Sequence, residues 1–88
     1  MNDKELRYMI AIQEYGSIQK AAAVMERNAS SLSRTVRRVE EDLDVKMFRR
    51  TPQGLLPTPE GEVYLQAAKE ILSLYDGLKL NASEADDI

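Results

Sequence analysis

Residues 16–43, GSIQKAAAVMERNASSLSRTVRRVEEDL, decide the fold of this chain. Ser17 can cap a helix over residues 18–25, because its hydroxyl can accept a hydrogen bond from the free amides of a first turn. Residues 26–28 form a polar break, and a longer helical pattern follows over residues 29–43. The stretch therefore predicts two helices joined by a tight turn.

The surfaces of these two helices suit a helix-turn-helix. The small residues at 21–23 let two helix backbones approach closely, as that motif requires. One face of the second helix is apolar, with Leu32, Val36, Val39 and Leu43. The rest of its circumference carries hydroxyls and guanidinium groups, namely Ser30, Ser33, Arg34, Arg37 and Arg38. Such groups bind phosphates and base edges, so the pattern indicates a helix that enters a DNA major groove.

Composition argues against several other classes of protein. The 88 residues are enough for one domain with a modest core. The sequence has no cysteine and no histidine, which removes disulfides, thiolate metal sites, the commonest general base and the commonest zinc ligand. Carboxylates are plentiful, but nothing resembles a nucleophile beside a base. We therefore expect no enzyme, no metal and no cofactor.

Hydropathy predicts a cytoplasmic protein. No apolar run approaches the ~20 residues of a membrane span, and residues 1–4 lack the apolar stretch of a signal peptide. In a bacterium, the cytoplasm places the chain beside the nucleoid. We expect no membrane partner.

The net charge of −3 is unevenly distributed. Residues 1–58 hold 10 Lys and Arg against 8 Asp and Glu, a net +2, whereas residues 59–88 hold 2 against 7, a net −5. Between Arg27 and Arg38 there are four arginines and no acid. Because salt screens charges beyond about 10 Å at 0.1 M, a distant acidic segment need not abolish phosphate attraction. Non-specific DNA affinity should nevertheless be weaker than for a strongly basic domain.

A first helix and a small hairpin complete the winged part. Asn2 or Asp3 can cap a helix that ends at Gly16, with a buried stripe of Leu6, Met9, Ile10 and Ile12. Asn28 can cap the third helix, and Asp44 ends it in a left-handed conformation that carries some strain. Residues 45–48 read as a strand, residues 51–54 as a turn, and residues 55–56 as a short return strand.

The last helix begins at Thr58-Pro59-Glu60, an N-cap, a proline at the first helical position and an acid in the first turn. We expect residues 1–58 to form the winged helix-turn-helix, residues 59–80 a linker and dimerisation helix, and residues 81–88 an acidic, disordered tail. Apolar residues recur along the helix at spacings of three and four: Tyr64, Ala67, Ala68, Ile71, Tyr75 and Leu78. This series predicts a homodimer seam, although the same residues could instead pack back on the domain.

Several motifs in register resemble one family. They are Ala-Ala in the second helix, Leu-Ser-Arg in the third, then Arg-Arg-Val-Glu-Glu-Asp-Leu, Phe-Arg-Arg-Thr, and Thr-Pro-Glu-Gly at the start of the last helix. Together they resemble the N-terminal DNA-binding domain of LysR-type transcriptional regulators, from Leu6 to about Leu80. The resemblance implies a mainly α fold, a winged helix-turn-helix followed by a long helix paired between two subunits. Members usually also carry an inducer-binding domain; it is not found here, so we expect no small-molecule ligand and either an excised fragment or a naturally short relative.

The resemblance also implies roles for individual residues. Positions that face base edges and nearby phosphates are occupied by Ala29, Ser30, Ser33 and Arg34, with Asn28 at the start of that helix. Positions that contact the DNA backbone are occupied by Ser17, Lys20 and Arg37 or Arg38. Gln53 lies at the tip of the wing, near the minor groove. The family usually has Gln-Pro where this chain has Ala29-Ser30, often a basic residue in place of Gln53, and an apolar residue in place of Arg27. Glutamine can pair with adenine through two hydrogen bonds and alanine cannot. This chain therefore lacks one side chain that could recognise a base directly.

Two functions remain open from the sequence. The first is a dimeric, sequence-specific regulator that binds double-stranded DNA. The alternative is a short interaction protein that pairs through its last helix with full-length regulators and binds DNA weakly. The arginines of the third helix could also form an ordinary solvated face paired with neighbouring acids, since such pairs are common on helices.

Overall fold

The computed structural model describes residues 2–86 as four helices and one antiparallel hairpin. In chain order the elements are α1 (Asp3–Tyr15), α2 (Ile18–Val24), α3 (Ala29–Leu43), β1 (Phe48–Thr51), β2 (Gly54–Pro57) and α4 (Pro59–Asp86). Helices α1, α2 and α3 pack on one another, and α4 runs along α1. The predicted winged helix-turn-helix with a long last helix is confirmed.

Side-chain caps begin all four helices. The Glu5 amide donates to Asn2 Oδ1 at 2.9 Å, and the Lys20 amide donates to Ser17 Oγ at 3.2 Å. Asn28 caps α3 through Oδ1, and Thr58 caps α4 by accepting from the Gly61 amide at 3.0 Å. Each cap satisfies an amide that the helix itself leaves free. The predicted caps at residues 17, 28 and 58 are confirmed, and at the first helix the cap is Asn2, not Asp3.

The core lies under α1. Its largest fully buried side chains are Met9, Ile12, Leu32, Met47 and Leu65. Ala21 and Ala22 are buried where α2 crosses α1 and α3, as their small size predicts, whereas Ala23, predicted with them, is exposed. Leu43, on the same apolar face of α3 as Leu32 and Val39, is half exposed. Val45 and Met47 pack beside Val39 and complete that part of the core, so the last turn of α3 extends beyond it.

The first wing strand lies further along the chain than predicted. Residues 48–51 pair with residues 54–57, from Phe48 opposite Pro57 to Thr51 opposite Gly54. Met47 is not part of the strand pairing, because its backbone amide and carbonyl form hydrogen bonds with other residues. Its amide donates to Glu40 Oε2 at 2.8 Å, and its carbonyl accepts from the Thr58 amide at 3.0 Å. The segment before β1 therefore anchors α3 to the start of α4.

Helix α4 packs on α1 through Leu65, Ala68 and Leu72. An ion pair between Arg7 and Asp76, at 2.9 Å, adds a link between the two helices at the surface. The expectation of disorder from residue 81 is corrected for residues 81–86, where α4 continues to Asp86. No Gly or Pro interrupts residues 81–86, so nothing there forces the helix to stop. Residues 87 and 88 of that predicted tail lie outside the described residues.

Among residues 2–86, two residues other than glycine adopt the left-handed conformation. Asp44 has φ 55° at the end of α3, as predicted, and Glu26 has φ 56° in the turn between α2 and α3. A left-handed L-residue brings Cβ close to the following carbonyl, which costs roughly 1–2 kcal/mol. Both positions therefore carry local strain.

We expect Glu26→Gly to raise the free energy of unfolding by about 0.5–1 kcal/mol, because relief of the left-handed strain exceeds the added flexibility of the unfolded chain. The matched control is Glu41→Gly, an exposed glutamate within α3. That change should destabilise the fold by about 1 kcal/mol, since the helical backbone there is unstrained. Urea denaturation of both variants tests this, and a loss of stability in Glu26→Gly would contradict it.

Candidate nucleic-acid interface

Helix α3 presents a polar, cationic face to solvent. Ser30, Arg34 and Arg37 are exposed, and Ser33 between them is partly exposed. Spacings of three and four residues place these side chains on the same side of the helix. The opposite side holds the buried Leu32, Thr35 and Val39, so packing fixes which side faces outward.

A cleft of about 430 Å³ opens beside the start of α3. It lies between the first turns of α2 and α3 and the wing, and is lined by Gly16, Ser17, Ile18, Gln19, Ala29, Ser30, Ser33, Arg50, Gly54 and Leu55. The wing is held against this cleft by a hydrogen bond from the Leu55 amide to the Gly16 carbonyl, at 2.9 Å. A Cβ on Gly54 would lie only 2.7 Å from that same carbonyl oxygen, so glycine is needed for the close approach.

Several predicted DNA-contacting residues are brought together at this cleft. Ser17, Ala29, Ser30 and Ser33 all line it. Ala29 is partly buried and packs on the core, which leaves Ser30 as the first outward side chain of α3. The remaining predicted residues are exposed but do not line the cleft: Lys20, Asn28, Arg34, Arg37 and Gln53. Gln53 lies in the wing turn, where its backbone amide donates a hydrogen bond to Thr51 Oγ1 at 3.2 Å.

Arg38 faces a different neighbour. Its guanidinium forms an ion pair with Oε1 of Glu5 on α1. The Glu5 side chain is largely buried, whereas that of Arg38 is about half exposed. Removal of one partner of a buried charge pair is costly, so Arg38 has a structural task in joining α3 to α1. The sequence pattern could not indicate this contact, because the two residues are 33 positions apart.

Sequence reasoning missed two polar residues of the cleft, Gln19 and Arg50. Arg50 belongs to the Phe-Arg-Arg-Thr motif, and successive side chains of a strand point to opposite faces. One of the two adjacent arginines therefore had to face the cleft, although the sequence did not say which. Arg50 adds a cation opposite the exposed face of α3.

The predicted dimer seam divides between two sides of α4. Ala68 is 1 % exposed against α1, so its placement in a seam between subunits is wrong. Tyr64 also packs on the core; burial, followed by the charge of Glu5, raises the pKa of its phenol. Tyr75 is exposed to the same extent as Ile71, and both line a groove against Leu6 of α1. Lys79 Nζ lies 5.6 Å from the centre of the Tyr75 ring.

The other seam residues lie on a second side of α4, here called the outer apolar face. This face consists of Val63, Ala67, Ile71, Leu74 and Leu78, all of them exposed. Leu74 is 76 % exposed and Val63 is 73 % exposed, high values for large apolar side chains. From Ala67 onward the spacings are four, three and four, the pattern of a helix–helix seam. Val63 was not part of the prediction, which followed a single stripe along the helix.

Among the described side chains, those of residues 2–81, no group of three or more Asp and Glu residues is arranged to hold a metal ion. Over the same residues, no helix is both long and apolar enough to cross a membrane. The polar side chains that line the cleft carry hydroxyl, amide and guanidinium groups, and apolar side chains of Ile18, Ala29 and Leu55 lie beside them. Its chemistry suits a polyanion.

Comparison with known proteins identifies the family. The model of the bacterial regulatory helix-turn-helix proteins of the lysR family matches residues 4–62. The chain belongs to the LysR family. It is 38 % identical over 76 residues to the HTH-type transcriptional regulator YofA of Bacillus subtilis, covering 86 % of this chain and 27 % of YofA. It is 39 % identical over 69 residues to MetR of Salmonella typhimurium, covering 78 % of this chain and 22 % of MetR. The chain thus spans about a quarter of the length of these LysR-family relatives.

Solved structures of LysR-type DNA-binding domains share the fold. The BenM domain in complex with catB site 1 DNA superimposes with a TM-score of 0.92 at 30 % identity, covering 99 % of this chain and 94 % of that one. The CbnR domain in complex with DNA gives a TM-score of 0.85 at 30 % identity and covers both chains completely. Full-length CbnR gives 0.84 at 30 % identity, with 97 % of this chain and 29 % of CbnR covered.

Proposed function

We propose that this chain is the DNA-binding part of a dimeric, sequence-specific transcriptional regulator. The observation that carries the proposal is the close likeness, over nearly the whole chain, to domains solved in complex with DNA. The exposed cationic face of α3 supports it independently, because guanidinium and hydroxyl groups on one helix side suit both phosphates and base edges. No step of the proposal needs an enzyme activity.

In this proposal α3 lies in the major groove with its first turn towards the bases. Ser30 contacts a base edge, Ser33 and Arg34 contact base edges and adjacent phosphates, and Arg37 contacts the DNA backbone further along the helix. Ser17 and Lys20 at α2, together with Arg50 across the cleft, bind the flanking phosphates. Gln53 in the wing turn reaches the neighbouring minor groove.

Two copies of the chain pair through α4. The outer apolar face is the surface available for this, since the opposite side of the helix is already buried on α1. A contiguous exposed apolar surface of this kind usually marks an interface. Symmetric pairing would hold two recognition helices at the fixed spacing that two half-sites require.

Binding to duplex DNA at a series of salt concentrations tests the proposal. A protein that neutralises several phosphates loses affinity steeply as salt rises, because counterions are released on binding. If the domain contacts several DNA phosphates, the logarithm of its association constant should therefore fall steeply with the logarithm of the salt concentration. A flat slope, or no binding to any duplex, would overturn the proposal.

We expect Arg34→Ala to weaken specific binding by about 1–3 kcal/mol without loss of the fold, because the guanidinium can make two hydrogen bonds to guanine or clamp a phosphate. Among the described residues, the Arg34 guanidinium makes one long hydrogen bond, 3.5 Å to Ser31 Oγ, and the side chain is exposed, so its removal leaves the core packing intact. The control is Glu62→Ala, an exposed residue of α4. Equal losses in both variants, measured by fluorescence anisotropy, would refute a special role for Arg34.

The alternative is an interaction function, in which the chain pairs through α4 with full-length regulators and binds DNA weakly. The overall net charge of −3 favours it, because a net negative chain is repelled by DNA at long range. The same salt titration separates the two functions. A chain that forms mixed dimers but shows no salt-dependent DNA affinity of its own would support the alternative.

A further inference from the structure

The cap of α3 determines whether one hydroxyl at the candidate interface, that of Ser30, can donate or accept a hydrogen bond. Asn28 Oδ1 accepts from the Ser30 backbone amide at 3.0 Å and lies 2.7 Å from Ser30 Oγ. An atom that accepts from a backbone N–H is the amide oxygen and carries no hydrogen. The Ser30 hydroxyl must therefore donate in the second bond. Its single hydrogen is used within the cap.

The remaining lone pairs of Ser30 Oγ can only accept hydrogen bonds. Ser30 is exposed and lines the cleft beside Ser33 and Arg50. Phosphate oxygens, guanine N7 and O6, and thymine O4 are acceptors too, so none of them can pair with this oxygen while the cap is intact. The base donors of the major groove are the amino groups of adenine N6 and cytosine N4.

We propose that Ser30 is a specificity-determining residue that accepts a hydrogen bond from the exocyclic amino group of an adenine or a cytosine. This inference rests on the proposed DNA-binding function and adds to it the direction of one hydrogen bond between the protein and a base. Ala29 has no polar side-chain atom, so it does not compete for the same base edge. Asn28 Nδ2 keeps two donors that no other described residue takes up, and these suit an adjacent phosphate.

The test begins with a duplex selected from a random library by the full chain. Each adenine in it is replaced in turn by purine and each cytosine by 2-pyrimidinone, which lack the amino group. At one position in each half-site, the affinity of the wild-type chain should fall about five- to tenfold, the effect of one hydrogen bond. At that position Ser30→Ala should bind the natural and the analogue duplex equally.

A second variant tests the role of the cap. Asn28→Ala releases the Ser30 hydroxyl, which can then donate as well as accept, so preference for adenine or cytosine over guanine or thymine at that position should disappear. Thermal unfolding of both variants confirms that α3 is still folded. If no analogue penalty depends on Ser30, the inference is overturned while DNA binding stands. If no duplex is bound with a salt-dependent affinity, the proposed function fails and this inference fails with it.

Discussion

Gly61→Ala should lower the free energy of unfolding by at least about 4 kcal/mol, an exceptionally large loss that approaches the total stability of a small domain. A Cβ at residue 61 would lie 2.0 Å from the Met47 carbonyl oxygen and 3.0 Å from its carbon. These are backbone atoms, so no flexible side chain can yield. The carbonyl also accepts from the Thr58 amide, and its displacement would break the link between the wing segment and α4.

Gly77→Ala is the matched control on the same helix. A Cβ there meets no atom within 4 Å, so alanine only improves helix propensity. The variant should gain roughly 0.5–1 kcal/mol. Urea denaturation followed by circular dichroism measures both changes. Similar stabilities for the two variants would show that the contact between residue 61 and Met47 does not constrain the fold.

Leu74→Asp should convert the proposed dimer to a monomer. Leu74 is the most exposed large apolar residue of the outer apolar face, and it contributes nothing to the core of its own chain. Aspartate would place an unpaired charge in the seam, and a buried unpaired charge is strongly unfavourable. Affinity for a two-half-site operator should fall by about a hundredfold or more, because tethering of the second half-site is lost.

Ser73→Asp provides the control, since it adds the same charge one residue away on a different side of α4. It should leave the dimer and operator binding unchanged. Sedimentation equilibrium gives the mass of both variants, and circular dichroism verifies that each is folded. A wild-type chain that sediments as a monomer at high concentration would refute dimerisation through this face.

Local chemistry made the elements of the fold predictable. Ser17, Asn28 and Thr58 could be read as caps because a cap depends on one side chain and the next three residues. Gly16 and Asp44 could be read as helix ends for the same reason. The spacing of the apolar residues then predicted the core positions Leu32 and Val39, since helix periodicity sets which side of α3 is buried.

Contacts between residues far apart in the chain could not be predicted from local sequence patterns. The Arg38–Glu5 ion pair links α3 to α1, and the sequence pattern around Arg38 does not indicate this contact. Packing of Met47 under α4 moved the first wing strand to residues 48–51. The seam of α4 was read as one stripe, although α1 covers one side of this helix and leaves the other exposed.

The sequence by itself determined the four helices, the hairpin, the helix-turn-helix and the cationic face of α3, because caps, turns and periodicity act over a few residues. Only the tertiary structure decided which charges and apolar side chains remain free for a partner. That outcome depends on which elements cover each other, and such coverage is set by packing between residues far apart in the chain. Ser30 joins both levels, since a local cap orients its hydroxyl and the fold places it in the cleft.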